Sequence, residues 1–357
     1  MRIMSVFLRF ALVIWLPVAL TACSRPAVTG LSDTVPEAVI ERVFVATQRT
    51  RNQLGQIFGE KRSSRMQYAT IDVSIPPRHE LGQLERTRGA ADAGQYFAPV
   101  AVEALDGSRD FTRTLERSRG GDGGVLLFVH GYNNTLEDAV FRVAQIKHDF
   151  DIEEPAILFS WPSAGDPRGY VYDRDSVLFA RDGFVELLRD LHAAGQRRIL
   201  LVAHSMGGYL TMEVLRQIAL EGDRHLFGGL EAVILMSPDI DPDIFRQQAA
   251  AIGKLPQPFV IMTSKSDRVL SLSGLLTGRK PRLGRIEGPE ELAGLDVTVI
   301  DVSGFDDAGV SGHDVPFSSA KAIQLLRGLD RQLRTGRTVL DDFVTLGSDP
   351  RVGLLAQ

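Results

Sequence analysis

The sequence predicts an α/β protein, with one mostly parallel sheet and helices packed on both of its faces. Three observations carry that reading. From Val125 onward, short apolar runs alternate with longer amphipathic segments, which is the rhythm of βα units. Those runs are continuously apolar, as strands buried on both faces are, and do not alternate with polar residues. One of them, Ile199–Ala203, passes straight into His204-Ser205-Met206-Gly207-Gly208 and an amphipathic helix, a strand, a tight turn of small residues and a helix in succession.

In chain order, the first 22 residues stand apart. Arg2 and Arg9 bracket a short positive region, Phe10–Leu20 is nearly all apolar, and Leu20-Thr21-Ala22-Cys23 closes it. The run is too short to span a bilayer as a mature helix and reads as a signal peptide. Its end resembles the bacterial lipobox, in which the cysteine is acylated and becomes the first mature residue. Cys23 is the only cysteine in the chain, so lipidation there leaves the mature protein without a disulfide. Ser24 follows, where aspartate is the familiar inner-membrane retention signal. The expected address is therefore the cell envelope, on the periplasmic face of the outer membrane if the source is Gram-negative.

Residues 23–65 are polar without a strong period and read as a linker, with a short helix around Val39–Thr47. Met66–Ile75 alternates apolar and polar residues and stops at Pro76-Pro77, as an edge strand does. It opens a catalytic domain expected over 66–336, which leaves 337–357 as a tail. Val125–Val129 is the first βα strand. Thr135-Leu136-Glu137-Asp138 opens a helix to about Phe150 in the manner of a capping box. Ala156–Phe159 is the next strand, and Val177, Ala180, Phe184, Leu187, Leu188 and Leu191 follow the helical period up to Gly195. After Ile199–Ala203 and its helix come Ala232–Met236, Phe259–Met262 and Val297–Val302. Leu270–Gly294 reads as an irregular loop, and Phe317–Leu333 as the last helix.

Composition is that of a globular chain, 44% hydrophobic and 24% charged over 357 residues. Losing Arg2 and Arg9 with the leader takes the formal charge from −5 to −7, a balance that offers nothing to nucleic acid. The seven histidines are scattered, with no H-E-x-x-H or comparable cluster, which argues against a metal enzyme.

The chemistry gathers at Ser205. The strand–turn–helix context is the one a G-x-S-x-G nucleophile elbow requires, with Ala203 where the strict motif has glycine. A serine hydroxyl needs a base, and the base needs a carboxylate to hold its tautomer. An elbow serine is followed along the chain by its acid and then its histidine. Two histidines follow Ser205. His225 sits in a polar connector and reads as a surface residue, whereas His313 follows the last strand and precedes the last helix, where the base belongs. Asp267, after Phe259–Met262, is the favoured acid. Asp239, Asp241 and Asp243, after the preceding strand, are the alternative, although an Asp before an apolar-periodic run commonly caps a helix. The oxyanion needs two N–H donors. Met206 supplies the first, and the loop His130-Gly131-Tyr132-Asn133-Asn134 supplies the second, from Tyr132 or else Asn133. His130, at the strand end before Gly131, reads as structural.

Phe-Val-His-Gly-Tyr-Asn-Asn (128–134), Phe159-Ser160-Trp161-Pro162-Ser163-Ala164-Gly165, Tyr172-Asp173-Arg174-Asp175-Ser176, Ala-His-Ser-Met-Gly (203–207) and Ser-Lys-Ser-Asp-Arg-Val-Leu (264–270) are together similar to an esterase/lipase-like bacterial branch of the α/β-hydrolase superfamily. The resemblance covers most of Met66–Leu333. It implies the α/β-hydrolase fold and hydrolysis of carboxylic esters or related acyl groups, without metal or organic cofactor. Trp161 and Pro162 follow a strand end next to the oxyanion loop and, with Asn133 of that loop, are candidates to line the substrate site, although a tryptophan there is equally plausible as packing.

The expected activity is a serine hydrolase acting on small acyl-ester or lipid-like substrates through an acyl-enzyme, held to a membrane by its lipid anchor. The same triad serves thioesterases, amidases and acyltransferases. The reading from a different class is a non-catalytic lipoprotein that uses the fold as a binding scaffold; the presence of both Ser205 and His313 speaks against it.

Overall fold

The computed structural model of the chain describes residues 30–51, 58–87, 89–118, 123–278, 281–305, 312–324 and 326–327. Its strands are β1 (Val39–Arg51), β2 (Phe58–Ile75), β3 (Ala98–Leu105), β4 (Val125–Val129), β5 (Ala156–Ser160), β6 (Ile199–His204), β7 (Leu230–Met236), β8 (Phe259–Thr263) and β9 (Thr298–Asp301). They form a single nine-stranded sheet in the order β3-β2-β1-β5-β4-β6-β7-β8-β9. All pairs from β1 to β9 across the sheet are parallel, and only β2 and β3 join antiparallel at one edge.

The helices are α1 (Gly107–Arg117), α2 (Leu136–Asp149), α3 (Tyr170–Ala193), α4 (Met206–Leu220), α5 (Pro242–Ile252), α6 (Arg268–Leu276) and α7 (Val315–Ser318). Alternate residues of each central strand enter opposite layers. Val125, Leu127 and Val129 of β4 pack with residues of α1, α3, α4 and α5. Leu126 and Phe128 pack with α2 and Phe317. Both faces are covered, which is why these strands read as unbroken apolar runs. The expected capping box opens α2: Thr135 Oγ1 accepts the Asp138 N–H at 3.1 Å, and Asp138 Oδ2 accepts the Thr135 N–H at 2.9 Å.

The N-terminal expectations need correction. Val39–Thr47 is strand and not helix, and residues 39–51 and 58–65 belong to the sheet and not to a linker. β1 runs parallel beside β5, with Val43 opposite Ala156 and Thr47 opposite Ser160. Val43 and Val45 are buried in one layer, Phe44 and Ala46 in the other, so the apolar cluster that suggested a helix is a strand buried on both sides. β2 is longer than Met66–Ile75 and interior, because β3 pairs with its outer side and takes the edge. Val39 lies at the sheet end where the parallel strands begin, away from the C-terminal ends of β4 and β6.

Two later segments also differ. The first part of Leu270–Gly294 is helical, within α6, and the stretch after it is pinned to the sheet. Ser264 N donates to Gly284 O at 2.9 Å, and Gly284 N donates to Pro238 O at 2.9 Å. A Cβ on Gly284 would stand 2.6 Å from the carbonyl carbon of Ser237. The helix expected over Phe317–Leu333 starts at Val315 and breaks at Ser319, whose ψ of 120° is extended. Residues 320–324 are helical again. The leader, Cys23 and the 337–357 tail lie outside the described residues.

Candidate active site

The sheet order reverses at β4 and β6: β5 lies on one side of β4, while β6 to β9 run out on the other. In open α/β sheets the ligand crevice opens beyond the C-terminal strand ends at such a point. Those two ends carry His130-Gly131 and His204-Ser205.

Ser205 joins β6 to α4 with φ 52° and ψ −120°. A side chain held in such a sparsely populated region costs about 1–3 kcal/mol, and persists only where its surroundings over-determine it. Here they do. Ser205 N donates to Met236 O at 2.9 Å, and Ser205 O accepts the N–H groups of Gly208 at 3.0 Å and Asp239 at 3.1 Å. A Cβ on Gly207 would lie 2.5 Å from His130 O, and one on Gly131 would lie 2.8 Å from His204 Nδ1 and 2.9 Å from the Ser205 Cβ. The turn therefore demands glycine on both sides: Gly207 in the elbow and Gly131 across from it. Ser205 is 1% exposed.

His313 lies against the elbow. Its Nδ1 is 2.7 Å from Asp267 Oδ2, and Asp267 Oδ1 accepts the Leu270 N–H at 2.8 Å, capping α6. A Cβ on Gly312 would fall 2.8 Å from Asp267 N, so the chain carrying the histidine lies directly on the backbone of the acid. His204 Nε2 is 3.2 Å from His313 O, and the two rings sit 4.5 Å apart. Burial and the neighbouring His313 push His204 well below the ordinary histidine pKa. It is thus a neutral ring whose Nε2–H donates to the His313 carbonyl. Burial opposes charge on His313 as well, but the hydrogen bond and charge of Asp267 outweigh it and raise that ring's pKa.

The other aspartates are occupied differently. Asp239 is buried, accepts from Tyr170 Oη at 2.9 Å and Ser273 Oγ at 3.0 Å, and faces Arg282 Nε at 3.1 Å. Asp241 caps α5 through the Asp243 N–H at 2.9 Å. His225 is exposed, as expected.

On the oxyanion side, no acceptor among the described residues takes the backbone N–H of Met206 or of Tyr132. Asn133 adopts φ 57°, and its N–H donates to Asp173 Oδ2 at 3.0 Å. That commitment removes Asn133 as an oxyanion donor and leaves Tyr132. The Asn134 side-chain amide donates to Tyr132 O at 2.9 Å and Gly131 O at 3.2 Å, fixing the turn.

Trp161 is buried against the loop: it is stacked 4.7 Å from the His130 ring, and its Nε1 donates to His130 O at 2.8 Å, the packing role the sequence also allowed. His130 is structural, as expected. Its Nε2 lies 3.3 Å from Ser160 Oγ, but this second serine–histidine pair is sealed beneath the loop. Burial, with the Arg49 charge, lowers the His130 pKa to about 3.

Two residues beneath the loop were not singled out in the sequence. Arg49, at the end of β1, is 1% exposed. Its Nε donates to Ser160 Oγ at 3.1 Å, Nη1 to Ser163 O at 3.2 Å and Nη2 to Asn134 O at 3.1 Å. Asp173, in the first turn of α3, accepts from Ser163 Oγ at 2.7 Å and Ala164 N at 2.7 Å besides Asn133 N. The Ser163 and Asp173 motifs thus have a local purpose: they hold the loop around Asn133 and Asn134.

Among the described residues one group has the spacing to hold a cation: His79, His148 and Asp149, with ligand atoms within 4.8 Å of one another. It lies at the C-terminal end of α2, away from Ser205. His79 already bridges Glu85 and Asp149 at 2.8 Å each.

Residues 106–332 match a family described as "Alpha/beta hydrolase of unknown function (DUF900)". No curated protein matches the chain. Among solved structures, a CIB-like hydrolase from Thermoplasma acidophilum is 13% identical with a TM-score of 0.37, covering 83% of this chain and 99% of its own. An esterase from Rhizomucor miehei is 13% identical with a TM-score of 0.35, covering 85% of this chain and 86% of its own. A thermostable carboxylesterase from a metagenomic library is 12% identical with a TM-score of 0.36, over 85% and 90%. Likeness this low carries nothing about activity.

Proposed function

The chain belongs to the family of alpha/beta hydrolases of unknown function matched over residues 106–332, and from that premise we propose that it is a serine hydrolase cleaving carboxylic (acyl) esters through Ser205, His313 and Asp267. One observation carries the reading: a 2.7 Å Asp267–His313 hydrogen bond beside a serine held at φ 52°. His313 takes the Ser205 proton as the hydroxyl attacks the acyl carbon, and Asp267 holds the Nδ1–H and the imidazolium that forms. The N–H groups of Met206 and Tyr132 receive the oxyanion. His313 then gives its proton to the leaving alcohol. Water attacks the acyl-enzyme by the same route in reverse.

A fluorophosphonate probe on the purified protein tests this. We expect one label per chain, on the Ser205 peptide, and none on Ser205→Ala. An unlabelled wild type overturns the reading in favour of a non-catalytic scaffold. A panel of ester, thioester and amide substrates of graded acyl length then ranks the leaving groups.

We also propose that Cys23 carries a lipid and holds the protein in the cell envelope. The support is in the sequence, the apolar run that ends in Leu20-Thr21-Ala22-Cys23. Mass spectrometry of the mature chain showing an unmodified Cys23 overturns it. Among the described residues no helix is long and apolar enough to cross a membrane.

A further inference from the structure

We propose that Arg49 is a positioning residue for the oxyanion hole: its buried guanidinium fixes the backbone that presents the Tyr132 N–H. The inference rests on the serine-hydrolase reading above.

β1 and β2 keep a regular antiparallel register from Val39↔Ile75 to Thr47↔Gln67, and the register then shifts on both sides of Arg49. Irregularities of this kind re-aim a side chain and gather next to active sites. Thr47 is the last residue of β1 paired with β5, opposite Ser160. Its Oγ1 donates to Ser160 O at 2.5 Å and accepts the Arg49 N–H at 3.1 Å. Arg49 therefore stands two residues beyond the C-terminal end of β5, and its side chain folds over that end instead of joining the layer below.

There it meets three acceptors on two chain segments. Ser160 Oγ and Ser163 O belong to the stretch leaving β5, and Asn134 O belongs to the oxyanion loop. Only a guanidinium carries enough donors in a fixed fork to span them; an ammonium is a point charge with a shorter reach. Asn134 is tied back to Tyr132 O and Gly131 O by its own side chain. Holding Asn134 O thus holds the peptide that carries the Tyr132 N–H.

A cation this deep requires compensation. Asp173 supplies it through the shared Ser163: Arg49 holds the Ser163 carbonyl and Asp173 its hydroxyl. The same carboxylate takes the Asn133 N–H. Asp173 and Arg49 so grip the two residues that follow the donor peptide, Asn133 through its N–H and Asn134 through its carbonyl. Hydrophobic packing alone would seat the loop, but it would leave the donor free to turn. Oxyanion donors act because their direction is fixed before reaction.

The test uses the full chain with Arg49→Met, Arg49→Lys and Arg49→Ala, assayed on p-nitrophenyl butyrate. Labelling by fluorophosphonate and the affinity for a trifluoromethyl ketone are measured alongside. We expect kcat to fall about 10²–10³-fold in Arg49→Met, the range for loss of one oxyanion donor, with KM within about threefold. The ketone, which forms an oxyanion, should lose affinity in step with kcat. Arg49→Lys keeps the buried charge and should fold, yet lose about 10-fold or more, since one ammonium cannot span the three acceptors. Millimolar guanidinium should restore part of the activity of Arg49→Ala. Folded variants with kcat within threefold of wild type, or ketone affinity unchanged while kcat falls, overturn the proposal and leave the triad standing. A wild type that fluorophosphonate does not label overturns both.

Discussion

Asp267 makes two bonds with one carboxylate: Oδ2 to His313 Nδ1 at 2.7 Å, and Oδ1 to the Leu270 N–H that begins α6 at 2.8 Å. Asp267 is thus anchored by the helix it caps, and its other oxygen holds His313, the proposed base. Asparagine caps a helix nearly as well as aspartate, so Asp267→Asn should keep its melting temperature. Its amide favours the wrong imidazole tautomer, a change that costs about 10⁴ in kcat in a serine-protease triad. Asp239→Asn should behave in the opposite way. It leaves buried Arg282 uncompensated, a defect of about 3 kcal/mol or more, with kcat of the folded protein largely kept. Kinetics and thermal unfolding of both variants check the pair; the reverse ranking in kcat would transfer the acid to the end of β7.

Ser205→Ala should fold and lose turnover by about four to six orders of magnitude, because the members of a triad act as a unit. Activity above a few per cent, measured on protein free of wild type, would place the nucleophile elsewhere.

Ser205, His313 and Asp267, proposed above as a triad, could be singled out because their signals are local. A continuous apolar strand, a small residue, the serine and two glycines lie within one short stretch, and the acid and base each follow a strand of their own. Their supports were not legible. Arg49 meets acceptors 85 to 114 residues away, two of them main-chain carbonyls that leave no mark on the sequence. That Trp161 stacks on His130 was likewise hidden, because the two residues are 31 positions apart. The helix expected around Val39–Thr47 failed for a general reason: when both faces of a strand are buried, apolar residues fall together and the twofold period disappears. The core of the sheet was legible for the complementary reason, since turn residues punctuate its short runs.

On the proposed mechanism, the dependence of turnover on pH follows from His313. The ring must be neutral to accept the Ser205 proton, and Asp267 raises its pKa above the ordinary 6.5. Activity should therefore rise with pH along a limb whose midpoint lies above 6.5. In Asp267→Asn the residual activity should show that midpoint moved to lower pH. A pH–kcat/KM profile of each settles it.

Stability should carry a second pH signature, from His79. Burial disfavours charge on this ring, but its hydrogen bonds to Asp149 and Glu85 prevail and raise its pKa to about 9. A raised folded-state pKa gives stability that is complete below the unfolded value of about 6.5 and lost as pH climbs through the folded value. The melting temperature should fall between pH 7 and pH 10. His79→Gln should start lower at pH 7 and lack that particular fall, as scanning calorimetry over this window would show.

Truncation tests the corrected boundary. A chain starting at Gly30 should fold and keep full activity. One starting at Met66 loses β1, with Val43, Phe44, Val45 and Ala46 all buried. At about 1.5–3 kcal/mol for each large buried apolar side chain, that loss is comparable with the whole stability of a domain. It should be insoluble or inactive, and a folded, active product would return residues 39–65 to the role of a tether.

The position of β1 also sets which way the protein looks. Val39 lies at the foot of the parallel strands, and Ser32 is fastened at the same foot, its N–H donating to Pro99 O at 2.9 Å. Ser205 opens at the opposite end. Eight residues lie between Cys23 and Ser32, a leash of at most about 30 Å fully extended. If Cys23 carries a lipid, the bilayer is held at the foot and the catalytic mouth is turned outward, toward water. Whatever reaches Ser205 would then arrive from the aqueous side, dissolved or borne on an opposing surface, and not by rising out of the membrane that carries the enzyme.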